Sequence, residues 1–278
     1  MNLHRIIIIG GGIGGLAAAL ALLRRGFKVV VYERAEAFRE IGAGLIVTAN
    51  ARRALRDLGV DDALAACSSN VRVRNTCDYI TGKVIQEISN AEIERRYGFA
   101  NLQVHRGDLH NVLLDAIRAI DPAALVAGRA FADLTQDGDG VTVHFRDGSS
   151  DRGDAVIGAD GNASAVRSLL FPGEATEFNG QVAYRALLPK ALVPASIQAL
   201  QMAMHPAPKR YLLLYPLRHG ELLNVIGCGQ AADWEEEGWA IPATNAEFAA
   251  AYDDFAPQLV DLIATIPDGE LFKCCLLY

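Results

Sequence analysis

Three features of the 278-residue sequence predict an α/β fold, with a parallel sheet in one domain and a second, inserted domain built on its own sheet. A β-branched run from His4 to Ile9 passes through a glycine-rich turn into a helical pattern and then into "KVVVYE", which makes a βαβ unit. A second buried run, "DAVIGADG", returns to the same kind of strand much later in the chain. After Pro172 the character changes to long extended segments, "QVAYRALL", "RYLLLYPL" and "ELLNVIG".

Composition narrows the class. A chain that is 51% hydrophobic and 21% charged is long enough to bury one large or two moderate cores. With 33 acidic against 26 basic residues the net charge is -7, which argues against a nucleic-acid partner. Cys67, Cys77, Cys228, Cys274 and Cys275 are odd in number and lack CxxC spacing, so neither a metal site nor a disulfide framework is expected, and a reduced cytoplasm fits best. The uncharged stretch from Ile6 to Leu23 has about the minimum length for a membrane span. Gly10, Gly11, Gly12, Gly14 and Gly15 interrupt it, each costing about 1 kcal/mol relative to Ala within a helix, and no membrane segment is expected.

The elements follow in order. After the first strand and turn, Leu16, Leu20 and Leu23 recur at helical spacing, and Gly26 supplies the stop before the second strand. "NLQVHR" reads as a strand, and Leu109, Val112, Leu113, Ala116, Ile117 and Ile120 mark one face of the next helix. Val141, Val143 and Phe145 alternate with polar residues between turns at "DGDG" and Asp147-Gly148, which predicts a hairpin. "CDYITGKVIQEI" reads as two strands and a turn that belong with the later sheet. Near the end, Phe248, Tyr252, Phe255, Leu259 and Leu262 form one helical pattern. The expected division is 1–73 and 98–172 for the first domain, 74–97 and 173–278 for the second.

Gly10, Gly12 and Gly15 satisfy GxGxxG at a strand-to-helix junction, the context that gives this pattern meaning. The first glycine permits the tight turn, the second lets backbone approach a pyrophosphate, and the third permits close helix packing, while the helix N-terminus offers N–H groups to the anion. Glu33 lies 18 positions beyond Gly15, near the offset of an acid that binds a ribose hydroxyl. Its carboxylate would repel a 2'-phosphate, so a Rossmann-like pocket for the adenosine of FAD or NAD is expected.

At this point the sequence resembles the class A flavoprotein monooxygenases, the group of the para-hydroxybenzoate, salicylate and 6-hydroxynicotinate hydroxylases. The stretches that carry the resemblance are "GGGIGGLAAALALLRRGFKVVVYERA", "EIGAGLIVTANARRALRDLG", "VHRGDLHNVL", "VIGADGNASAVR" and "RYLLLYPLRHGELLNVIG". It implies a Rossmann-like FAD-binding domain plus an inserted, sheet-based substrate domain. It also implies an activity, in which NADH or NADPH reduces FAD and O2 supplies the oxygen placed on a small aromatic acid. Gly10, Gly12, Gly14, Gly15, Glu33, Arg34 near the adenine, Arg106 at the pyrophosphate, and Asp160 with Gly161 then become the cofactor residues. Gly42, Gly44 and Ile46 would pass beside the isoalloxazine.

The substrate residues are expected in the second domain. Alternation in "RYLLLYPL" puts Tyr211 and Tyr215, the two phenols expected to line the substrate side and serve catalysis, on one face with Leu213, and Arg210, Leu212 and Leu214 on the other. Relatives often have histidine where Tyr211 stands, and a phenol is a poorer base near neutral pH. Arg185 is the first candidate for a substrate carboxylate and Arg210 the second. The family's later Gly-Asp motif, with its following His and Pro, is absent, and the sequence stops in the apolar "ELFKCCLLY". The expectation is a chain truncated at its C-terminus, self-associating as a possible homo-oligomer. An FAD-binding fragment incomplete for catalysis and an NAD-dependent reductase without flavin remain as alternatives.

Overall fold

The computed structural model describes residues 4–39, 43–174, 177–198, 201–231 and 240–277. They fall into two compact units: Met1–Ile41, Leu55–Ala63 and Arg106–Thr176 form the first, and Gly42–Ala54, Leu64–His105 and Glu177–Tyr278 the second.

The first unit is built on four parallel strands in the order Ala155–Gly158, β1 (Arg5–Ile9), β2 (Lys28–Tyr32) and Leu125–Val126. Isoleucines fill β1 because both faces are covered: Ile7, Ile8 and Ile9 are buried. Ile7, Ile9 and Val30 pack against Val143 and Phe145 of the antiparallel sheet formed by Phe131–Asp137, Gly140–Phe145 and Ser150–Gly153. The helix α1 (Ile13–Leu23) packs against the helix Arg106–Ile120. Gly10 turns the chain with φ +110°, and a Cβ there would collide with the Ala159 carbonyl. A Cβ on Gly15 would collide with the Gly10 carbonyl, whereas one on Gly14 would meet nothing within 4 Å.

The second unit carries eight strands in the order Ile241–Pro242, Leu271–Leu277, Phe178–Pro189, Leu222–Gln230, Arg210–Leu217, Met202–Ala207, Val73–Cys77 and Val84–Ser89. All neighbours are antiparallel except Met202–Ala207 with Val73–Cys77. Helices Asn245–Ala251 and Pro257–Ala264 cover one face, where Leu188, Leu212, Leu214 and Val225 meet Phe248, Tyr252, Leu259 and Leu262. Among the described residues no helix is long and apolar enough to cross a membrane.

Two expectations change. The stretches 42–54, 64–73 and 98–105, assigned from sequence to the first domain, group with the second unit. The reason is pairing: Gly44–Val47 forms a two-stranded antiparallel sheet with Leu102–His105, Ser69 bridges Gln103, and Val73 pairs with Ser89. The single helical pattern near the end is two helices. Pro257 lacks the N–H needed to continue a helix and instead opens the second one, with extended backbone at Ala256.

Glycine packing predicts a contrast. Gly15→Ala should destabilise the protein by about 1–3 kcal/mol through the clash with Gly10. Gly14→Ala should be neutral or stabilising by up to about 1 kcal/mol, since Ala is the better helix former. Thermal midpoints of the two variants check this; equal losses would contradict the close approach. A second outcome concerns His205, which is 1% exposed. Burial pushes its imidazole down to about 4, below an unfolded value of roughly 6.5. Between these values the unfolded chain binds a proton that the native chain refuses, so stability falls as pH falls through that window. Urea unfolding should show a loss of about 2 kcal/mol from this group between pH 7.5 and 5. His205→Leu should remove that part of the pH dependence, and an unaltered dependence would contradict it.

Candidate functional site

In the first unit the C-terminal ends of β1 and β2 open onto a cavity of about 700 Å³, where ligands bind to open α/β sheets. Of the expected cofactor residues, Gly10, Gly12, Glu33, Arg34, Arg106, Asp160 and Gly161 line it. Gly14 and Gly15 lie within α1. Arg39, Arg129 and Arg146 also line the cavity, so five arginines border it together with Glu33 and Asp160. Sequence reading missed these three because they come from separate segments that only the tertiary fold brings together.

The cavity is held by named contacts. One Glu33 oxygen accepts from the Gly11 N–H at 2.8 Å and the other from the Ala35 N–H at 2.9 Å. The buried His110 approaches the Gly11 carbonyl with Nε2 at 2.7 Å. Behind Glu33, the Tyr32 hydroxyl donates to Asp151, which also pairs with Arg5. Burial, reinforced by Asp151, pushes the Tyr32 phenol up to about 12. Asp160 accepts from the Ser164 hydroxyl and the Val166 N–H, so its carboxylate organises the start of helix Ala165–Leu170. Gly161 takes φ +83°.

These features fit a dinucleotide. The N-cap of α1 is Gly12, with no side-chain cap and no acid in the first turn, so the helix start keeps its N–H groups for an anion. Gly10 and Gly11 line the cavity where a Cβ would strike Ala159 or Phe38. Arginines suit a pyrophosphate, and Glu33 retains lone pairs for ribose hydroxyls while opposing a 2'-phosphate.

Arg185, Tyr211, Tyr215, Gly44 and Ile46 all lie in the second unit. The strand register puts Leu213, Ile226 and Arg185 in one row across three strands, with Tyr211 opposite Cys228 and Tyr215 opposite Asn224. This face lies opposite the helices. Tyr211 and Arg185 are half-buried. Tyr215 is 2% exposed and packs with Val71, Met202 and Leu217, with Ile46 against the same group. Gly44 donates its N–H to Asn224 Oδ1 at 3.0 Å, and a Cβ on Gly44 would stand 2.7 Å from Asn224 and the Tyr215 hydroxyl. Tyr215 therefore supports the Gly44 backbone. Asn224 was missed from sequence, although a lone amide in the apolar "ELLNVIG" was a visible signal. Gly42 lies outside the described residues. Arg210 is corrected: it forms a two-pronged ion pair with Asp254 and lies over the Phe255 ring, on the helix-covered face.

Burial raises the phenols of Tyr211 and Tyr215, and the Cys228 thiol beside Tyr211 raises Tyr211 further, while Arg185 opposes both shifts. Burial also pushes the Cys228 thiol up. All three stay protonated near neutral pH.

The first unit thus defines a dinucleotide-binding α/β domain. Residues 4–257 match the family model described as FAD binding domain, and the chain belongs to that family. This sets aside the reading of a reductase without flavin. The chain is 35% identical over 265 residues to a 3-hydroxybenzoate 6-hydroxylase of Polaromonas naphthalenivorans, covering 94% of this chain and 66% of that protein. It is 31% identical over 268 residues to a 6-hydroxynicotinate 3-monooxygenase of Bordetella bronchiseptica, covering 95% and 69%. The crystal structure of Klebsiella pneumoniae HpxO complexed with FAD and uric acid matches with a TM-score of 0.84 at 27% identity, over 99% of this chain and 68% of that one. The chain spans about two thirds of the length of these relatives.

Glu33→Ala removes the carboxylate expected to accept from the ribose and frees the Gly11 N–H. FAD should then bind about 10–100-fold more weakly, the equivalent of a charge-assisted hydrogen bond. Titration of apoprotein by flavin fluorescence checks this, and unchanged affinity would contradict the assignment.

Proposed function

We propose that this chain supplies the FAD domain and substrate sheet of a cytoplasmic FAD-dependent monooxygenase that uses NAD(P)H and O2 to hydroxylate a small aromatic acid. The observation that carries this reading is the partly open sheet face, where the guanidinium of Arg185 and the phenol of Tyr211 border an apolar floor of Leu213 and Ile226. The names of the relatives, hydroxylases of 3-hydroxybenzoate and 6-hydroxynicotinate, support the same class.

When FAD is bound, the redox steps with NAD(P)H and O2 are its chemistry. The chain's own residues orient the ring. Arg185 would pair bidentately with the substrate carboxylate, a geometry that also fixes the ring's direction. Leu213 and Ile226 support the ring and keep water from that side. Tyr211 would donate its hydrogen bond to a ring hydroxyl; with its phenol raised above the ordinary value, it acts as donor and not as base. Tyr215 and Asn224 hold the Gly44 backbone, which the resemblance puts beside the isoalloxazine.

Two outcomes follow. The protein should bind 3-hydroxybenzoate at least about tenfold more tightly than the uncharged 3-hydroxybenzamide, and Arg185→Gln should erase the preference while leaving FAD affinity intact. Calorimetric titration checks both; a preference that survives the substitution would contradict the role of Arg185. Tyr211→Phe should lower hydroxylation several-fold without altering the shape of the pH profile between about pH 6 and 9. A lost ionisation in that range would make Tyr211 the base after all.

A further inference from the structure

We propose that His110 is a positioning residue of the cofactor loop: its imidazole holds the Gly11 carbonyl so that the Gly12 N–H is presented to the pyrophosphate. His110 is 1% exposed and lies on the helix Arg106–Ile120, with Nε2 2.7 Å from the Gly11 carbonyl oxygen. A carbonyl only accepts, so Nε2 carries the proton in this contact. On the other side of the same residue, the Gly11 N–H donates to Glu33. The two peptide groups flanking the Gly11 Cα are thus tied in place, one to the end of β2 and one to a helix.

Glycine makes this tie necessary. With no Cβ, Gly10, Gly11 and Gly12 have wide backbone freedom, and ordering them costs more entropy than ordering other residues. In a trans peptide the C=O and N–H point in opposite directions. Fixing the Gly11 carbonyl toward His110 therefore fixes the Gly12 N–H away from that helix, and Gly12 lines the cavity. Arg106 lies one helical turn before His110 on the same face and lines that cavity as well. One helix thereby sets both an anion-binding side chain and the backbone of the anion-binding loop, and the loop is ordered before ligand arrives.

The inference rests on FAD occupying the cavity and is independent of the hydroxylation reaction. Its first test needs no ligand. In histidine-labelled ¹⁵N spectra of the chain, His110 should be the Nε2–H tautomer; the Nδ1–H tautomer would overturn the proposal. The second test is FAD affinity by titration of apoprotein, with thermal midpoints recorded alongside. His110→Leu should weaken FAD binding about 10–30-fold, whereas His110→Gln, which can still donate, should stay within about threefold of the parent. Combined with Glu33→Gln, the loss should be smaller than the product of the two single losses, because both groups hold the same residue. Equal weakening in the Gln and Leu variants, or unchanged affinity in the Leu variant, would overturn it. Should the Leu variant fail to fold, the tautomer and the Gln variant still decide. Failure of the parent chain to bind FAD would count against the cofactor reading, and the tautomer would continue to test the contact.

Discussion

Backbone packed against backbone at the end of β1 is the constraint on which the first unit depends. Gly15 must approach the Gly10 carbonyl, and Gly10 must pass close to Ala159 in a conformation with positive φ. These approaches bring α1 down onto the sheet and leave its uncapped N-terminus at the cavity. Glu33 and His110 tie Gly11 from two directions, and Asp160, beside Gly10, organises the start of helix Ala165–Leu170. The cost of ordering glycines is met locally by hydrogen bonds, which holds flexible backbone in one arrangement, as the proposed anion receptor requires.

A comparable close approach organises the second unit. Gly44 lies where no Cβ fits, against Tyr215 and Asn224, and the strand it begins pairs with Leu102–His105. The helices on the far face bury Leu212 and Leu214, and this alternation puts Tyr211, Leu213 and Arg185, all half-buried, on the opposite face. Tyr252 strengthens the same strands from the helix side, its hydroxyl donating to the Cys228 carbonyl at 3.0 Å. Burial then tunes the groups that remain, keeping the phenols and the thiol protonated and suited to hydrogen bonding.

Local physics made part of this readable in the sequence. The β1–α1–β2 unit was legible because a β-branched run, a glycine turn and helical spacing each act over a few residues, and Glu33 sits at a fixed offset from them. The face shared by Tyr211 and Tyr215 follows from strand alternation alone. What alternation does not encode is the partner of a strand, and the pairing of Gly44–Val47 with Leu102–His105, which groups both with the second unit, is therefore not legible in the sequence. Arg210 stands second to Arg185 as a carboxylate partner on sequence alone, and only the fold brings Asp254 and Phe255 beside it. Arg39, Arg129 and Arg146 converge only through tertiary structure, whereas the break at Pro257 was a local signal that the helical period obscured.

The central claim is that the glycine turn, pinned by Glu33 and His110, is the FAD receptor of this chain. Amide hydrogen exchange with and without FAD tests it most directly. The account predicts that bound FAD protects the amides of residues 11–15 and those around Glu33 and Arg106. FAD binding that leaves residues 11–15 exchanging at the same rate as in the apoprotein would contradict it.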